Sequence, residues 1–361
     1  MAKTGGPSDE HVRTIRADDE ADQGNLTMQA CYYTKYGKPS VLQIGHLPRA
    51  KLLTPNDILV RVHAASISPF DYKRREGAFK LILTARWPAI LGYDMAGVVV
   101  MCGANVTKFS VGDQVYACVP HDRDGALAEY VSVPEQAAAL KPSNLSFVQA
   151  AAVPISALIA MQTLRRLHLS EGQNLLITGG SGGAKTIATT ALQQKDHILT
   201  RLGADLVIDY TDNQFEKMLK DYDCAIDCTS EAIKCIDCIK LGGIVASIAD
   251  TPPPEAMDEM NDELSSRTSC CLFFVLGCLS YSMKRKARSK HVEYAYVLVS
   301  PDGDTLAEIT KYCEDGVIRP VIDKVFGFDQ ALEAIELLEA GHVTGKIVIE
   351  MPINQSESTH N

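Results

Sequence analysis

The stretch that most limits what this chain can fold into is Gln173-Asn174-Leu175-Leu176-Ile177-Thr178-Gly179-Gly180-Ser181-Gly182-Gly183-Ala184-Lys185. An apolar run enters a glycine cluster, and the cluster continues into Thr186-Ile187-Ala188-Thr189-Thr190-Ala191-Leu192, which can be helical. Strand, glycine turn and helix in that order bring backbone N–H groups at a helix N-terminus to a pyrophosphate. A glycine-rich turn alone is a weak signal, so the flanking chain decides what it means.

Downstream, strand-like and helical runs alternate: Leu206–Asp209, then 213–220, Cys224–Asp227, 231–240 and Gly243–Ile248. Such alternation calls for a parallel, doubly wound sheet and an α/β fold. Upstream the pattern is β-rich and punctuated by Gly and Pro. Asp57 to Ala64 alternates with period two, Ser68 to Gly77 reads as a loop and a short helix, and Leu91 to Val100 is a strand whose glycines imply bulges or close backbone approach. A chain of 361 residues is also long for one core, so two domains are expected.

The net charge of −10 argues against nucleic acid as the main partner. Residues 1–27 are polar and carry Asp18-Asp19-Glu20, unlike a secretory or mitochondrial leader. With eleven cysteines and no secretory signal, this implies reduced thiols and a cytoplasmic protein. Residues 270–290 join an apolar run to the basic cluster Lys284-Arg285-Lys286-Ala287-Arg288-Ser289-Lys290. That run is short of the ~18 residues of a membrane span. It reads as a weak membrane-surface contact, or as a cover for a cleft mouth or a dimer face.

Six collinear motifs then support a resemblance. They are Ala64-Ala65-Ser66-Ile67-Ser68-Pro69-Phe70-Asp71, Gly92-Tyr93-Asp94-Met95-Ala96-Gly97-Val98-Val99, Phe109-Ser110-Val111-Gly112-Asp113-Gln114-Val115, Leu202-Gly203-Ala204-Asp205-Leu206-Val207-Ile208-Asp209-Tyr210, Arg319-Pro320-Val321-Ile322-Asp323-Lys324-Val325-Phe326 and Gly345-Lys346-Ile347-Val348-Ile349. The chain resembles the medium-chain dehydrogenase/reductase superfamily, in its zinc-free quinone-oxidoreductase (zeta-crystallin-like) branch. The resemblance implies a GroES-like domain over 28–150 and 310–351 and a Rossmann-like domain over 151–309, while the polar composition of 1–27 and 352–361 reads as a disordered and a frayed tail. It further implies NADPH in the cleft between the domains, a quinone or α,β-unsaturated carbonyl as acceptor, and a homodimer.

Zinc-binding members of the superfamily hold the metal on a Cys and a His, where this chain has Ser68 and the Gly92-Tyr93-Asp94 segment. Cys224, Cys228, Cys235 and Cys238 have plausible zinc spacing, but a strand cysteine and two helix cysteines facing a core read better as buried thiols. No metal is expected. By the resemblance, the nucleotide docks on Gly179, Gly180, Ser181, Gly182, Gly183 and Ala184, Ser68 and Ile159 lie near the nicotinamide, and Lys346 also contacts the cofactor. Tyr72 and Lys73 are the available proton donors. Asp71 and Asp94 brace the loop and the strand.

Several positions depart from the family. Relatives often have a tyrosine at Phe79, a threonine at Ile159, an asparagine at Ser68 and a glycine at Lys185. The segment from Ala191 to Gly203 contains no β-branched run, so on the order of a dozen residues, covering the sheet's second strand, look to be missing near Gln194. If so, Leu206–Asp209 slides beside Asn174–Thr178 or the sheet opens there, since an empty slot would leave backbone groups unpaired. By spacing alone, Asp209 could instead serve as the ribose acid. The alternative function is a catalytically inactive relative that binds or scaffolds.

Overall fold

The structure is a computed structural model. It describes residues 27–80, 83, 85–178, 186–191, 199–200, 203–209, 213–250, 252–254, 270–341 and 343–352. Two compact units result: 1–157 with 301–361, and 158–300.

In the first unit, β1 (Thr27–Tyr33), β2 (Leu42–Pro48) and β4 (Ala89–Ile90) form a small antiparallel sheet in the order β2-β1-β4. A larger sheet has the central strand β3 (Asp57–Ile67). On one side lie β5 (Asp94–Cys102), β6 (Gln114–Cys118) and β8 (Ala138–Leu140); β7 (Tyr130–Pro134) also pairs with β3. On the other side the C-terminal strands return, β16 (Lys346–Glu350) against β3 and β15 (Ile322–Gly327) outside it. The β-branched and aromatic content of these segments suits pleated, buried surfaces, and Ile58, Val60, Val99, Val115 and Ile347 are fully buried. The close backbone approach expected of the glycine strand is present: a Cβ on Gly97 would collide with the Arg61 carbonyl.

The helix α1 (Pro69–Glu76) begins in a capping box, with Ser68 as N-cap and Asp71 answering from the third position. It ends at Gly77, whose φ of +87° is left-handed. Its inward side carries Asp71, Arg74 and Arg75, at helical spacing. Arg75 is fully buried, with Nη2 2.6 Å from Glu339 on α8 (Ala331–Glu339). The pair is close but off hydrogen-bond geometry, so it is held as charges. Between these helices run α2 (Phe147–Ala151), α3 (Pro154–Leu167), which crosses from the first unit into the second, and α7 (Gly303–Glu314).

The second unit is a six-stranded sheet with every neighbouring pair parallel. Its order is β11 (Leu206–Asp209), β10 (Thr186–Ala191), β9 (Asn174–Thr178), β12 (Tyr222–Asp227), β13 (Ile239–Ser247) and β14 (Glu293–Tyr296). Leu175 and Ile177 pack with Leu167, Cys224 and Ile226 on one face. Leu176, Ala225 and Val245 face the other, with α4 (Phe215–Met218), α5 (Ala232–Ile236) and α6 (Cys270–Ser289). Leu276, Ser280, Met283 and Ala287 form the buried side of α6, and Lys286 is committed to Asp237 at 2.6 Å. Among the described residues, no helix is long and apolar enough to cross a membrane.

This sheet corrects two expectations. Thr186–Ala191, read as helical, is a strand, and the second-strand slot, expected to be lost, is the place it fills. Four of its six residues, Thr186, Ile187, Thr189 and Thr190, are β-branched, which favours extended backbone. Leu206–Asp209 therefore neither slides beside β9 nor leaves the sheet open, because β10 lies between them.

Removing one partner of the Arg75–Glu339 pair strands a buried charge, so Glu339→Ala should lower unfolding stability by about 3 kcal/mol in urea denaturation. The double change Arg75→Met, Glu339→Leu, which buries no charge, should recover most of that loss.

Candidate active site

The site is built around the start of α1 and the strand opposite it. The Asp71 carboxylate accepts from the Ser68 amide at 2.7 Å and the Ser68 hydroxyl at 3.1 Å, and its other oxygen accepts from the Gly92 amide at 2.7 Å. Gly92 stands at φ +84°, where a Cβ would also press on Leu127. Burial raises the Asp71 carboxyl to about 6 against these donors. Asp94 is the second brace. It accepts from the Ser66 hydroxyl at 3.1 Å, the Lys346 ammonium at 2.7 Å and the Ile155 amide at 2.8 Å. Both acids thus serve as braces, and Lys346 is held by Asp94.

Tyr72 is half-buried, with its phenol raised by burial and by Glu339 and Glu76 nearby, while Lys73 is exposed. Neither lies on the inward side of α1. Ile159, half-buried on α3, belongs to the second unit, and Ser68 to the first. Gly179, Gly180, Ser181, Gly182, Gly183 and Ala184 lie outside the described residues, as does Lys185.

A ring cluster that sequence reasoning did not assemble sits beside the cap. Phe70 lies 4.3 Å from His121, 5.1 Å from Phe79 and 5.3 Å from Tyr93, measured between ring centroids. The Arg74 guanidinium lies 5.0 Å over the Tyr93 ring, and Nη1 donates to the His121 carbonyl at 2.5 Å. Burial and the Arg74 charge lower the His121 imidazole to about 4, and burial raises the Tyr93 phenol. The helical spacing of Asp71 and Arg74 was available as a signal, but His121 lies in no motif.

In the second unit, a polar row crosses the carboxyl ends of the parallel strands, where doubly wound sheets place ligands. Asp227 is fully buried and accepts from the hydroxyls of Thr178 at 3.0 Å and Ser247 at 2.7 Å, and from the amides of Thr229 and Glu231. Burial and Asp227 raise the nearby Asp250 to about 6.

Comparison with known proteins places these features. Residues 54–143 match the alcohol dehydrogenase GroES-like domain, and residues 202–349 match the zinc-binding dehydrogenase family. The 2-methylene-furan-3-one reductase of Solanum lycopersicum is 33% identical over 347 residues, covering 89% of this chain and 79% of that protein. The chain belongs to the medium-chain dehydrogenase/reductase superfamily, in its quinone-oxidoreductase-like branch. It is an oxidoreductase of that family. The chloroplastic NADPH-dependent alkenal/one oxidoreductase of Arabidopsis thaliana is 32% identical over 89% of this chain and 79% of its own length. Among solved structures, the quinone oxidoreductase from Coxiella burnetii has a TM-score of 0.77 and 29% identity, covering 90% of this chain and all of that one.

The residues present do not suit the zinc of this family's metal-binding members. Tyr93 packs under the Arg74 guanidinium, a fixed positive charge that disfavours a metal cation there. Among the described residues no group of three or more His, Cys, Asp or Glu side chains is placed to hold a metal ion, and Cys224, Cys228, Cys235 and Cys238 lie buried or half-buried in the second unit.

Residues 179 to 185, which join β9 to β10, lie outside the described residues; at the start of β10, Thr186 pairs with Asn174.

Because His121 stays neutral in the fold while an unfolded histidine gains a proton below about 6.5, its contribution to stability is full above pH 6.5 and lost as pH falls toward 4. His121→Phe keeps the ring and removes the titration. Its stability relative to wild type, followed by urea denaturation, should rise as pH falls through that window.

Proposed function

We propose that the chain reduces quinones or α,β-unsaturated carbonyls without zinc, with NADPH as hydride source. The reading is carried by its 33% identity with a furanone reductase over most of both chains. A cofactor of this class supplies hydride, and an electron-poor acceptor needs little acid catalysis. What the chain's own residues contribute is a rigid first unit: Ser68 and Asp71 fix the entry to α1, and Asp94 fixes β5 against β16. The proposal includes a homodimer in the cytoplasm. A membrane contact through 270–290 would rest on Arg285 and Arg288, which are exposed while Lys286 is bound to Asp237.

A second reading, a binding or scaffold protein with little turnover, is favoured by the departures from the family at Ser68, Phe79, Ile159 and Lys185. Two measurements separate them. Acceptor-dependent NADPH oxidation that survives a chelator is the outcome expected of the reductase; its complete absence across quinones and enones overturns that reading. Saturable NADPH binding in a fluorescence titration is likewise expected of the reductase, and its absence favours the second reading.

A further inference from the structure

Helix α6 contains no acidic residue, and its cations gather at its carboxyl end: Lys284, Arg285, Lys286 and Arg288, followed by Lys290. Its buried side is Leu276, Ser280, Met283 and Ala287, and the exposed residues Tyr281, Arg285 and Arg288, at helical spacing, share the solvent side. The acids nearby are already spent. Asp237 holds Lys286 at 2.6 Å and Lys290 at 3.9 Å, and Glu293 holds Arg166 at 3.2 Å. Arg285 and Arg288 are left facing water.

Exposed apolar groups adjoin the same end. Leu241 is 75% exposed at the amino end of β13, where the next residue, Gly242, donates its amide to the His291 carbonyl at 2.8 Å. Ile233 of α5 is 42% exposed, and its carbonyl accepts from the Lys286 ammonium at 2.8 Å. Tyr281 is 62% exposed. The helix dipole accounts for cations in the last turn of α6, but gives no reason for apolar side chains held in water around them. One exposed apolar residue is ordinary; three around a cationic helix end make a mixed surface.

A surface of this kind suits anionic lipid, whose phosphates meet the cations while the apolar and tyrosine side chains enter the headgroup boundary. We propose that the carboxyl end of α6, with Leu241 and Ile233, docks on anionic lipid headgroups and lies on the bilayer. This rests on the contact proposed above for 270–290 and extends it to a surface drawn from three elements. Leu241 and His291 stand at the amino ends of β13 and β14, so the docked end of the sheet is the one opposite Thr178, Asp227 and Ser247.

The test is cosedimentation of the full chain with vesicles of phosphatidylcholine and phosphatidylserine in roughly equal parts, against phosphatidylcholine alone. Binding should need the anionic lipid and fall away when salt is raised to about 1 M, where screening acts over about 3 Å. The double change Arg285→Ala, Arg288→Ala should weaken it about thirtyfold, each cation near such a surface being worth about a factor of five. Leu241→Ser should weaken it about tenfold, through the loss of apolar area removed from water. These positions are exposed, so both variants should melt as wild type does. Loss in the arginine variant with none in Leu241→Ser overturns the three-element surface and leaves the contact through 270–290 standing. No vesicle binding by wild type, or binding that every variant shares, overturns both. Retention on immobilised heparin without vesicle binding overturns the lipid assignment in favour of a soluble polyanion. None of these readouts depends on turnover.

Discussion

The first unit is closed by one buried carboxylate. Asp94 is 2% exposed, and it gathers the hydroxyl of Ser66 from β3, the ammonium of Lys346 from β16 and the amide of Ile155 from the start of α3. These partners come from three distant parts of the chain. A carboxylate taken out of water costs several kcal/mol unless its lone pairs are filled, and here the ammonium of Lys346 reaches it only when β16 has returned beside β3. The ion pair therefore couples the closing of the sheet to the satisfaction of the charge. Asp71 repeats the device on a smaller scale, joining the cap of α1 to the turn at Gly92.

The second unit obeys a different constraint, the pairing of every strand edge. Its six described strands form a continuous parallel ladder, with β10 between β9 and β11. A strand lost from the middle of such a sheet would unpair two neighbours, and the β-branched residues of β10 keep that place filled.

Much of this was legible in the sequence. A period-two run located β3, a short strand-like run located β12, the loop and short helix read over Ser68 to Gly77 contains α1, and the glycines of the Gly92 to Gly97 segment announced tight backbone approach. The error at Thr186–Ala191 came from position. The segment follows a glycine turn, where a helix is usual, and that expectation overrode four β-branched residues whose intrinsic preference is extended. The ring cluster was hidden for another reason. Phe70, Phe79, Tyr93 and His121 come from four separate places in the chain, and only tertiary structure brings them within about 5 Å. Arg74 was masked by its neighbours, since Lys73-Arg74-Arg75 reads as a solvated basic run until the helix turns the two arginines inward.

These two constraints act on separately built units. Contacts to the remote, non-reacting part of a cofactor are used to hold its reacting end in place. In the first unit the cation on β16, Lys346, is engaged by Asp94 at 2.7 Å. Freeing that lysine would leave Asp94 as an unpaired buried charge and undo the closure of the sheet. Any ligand that took up Lys346 would therefore compete with the fold for it, which ties a binding role for this lysine to the stability of the first unit.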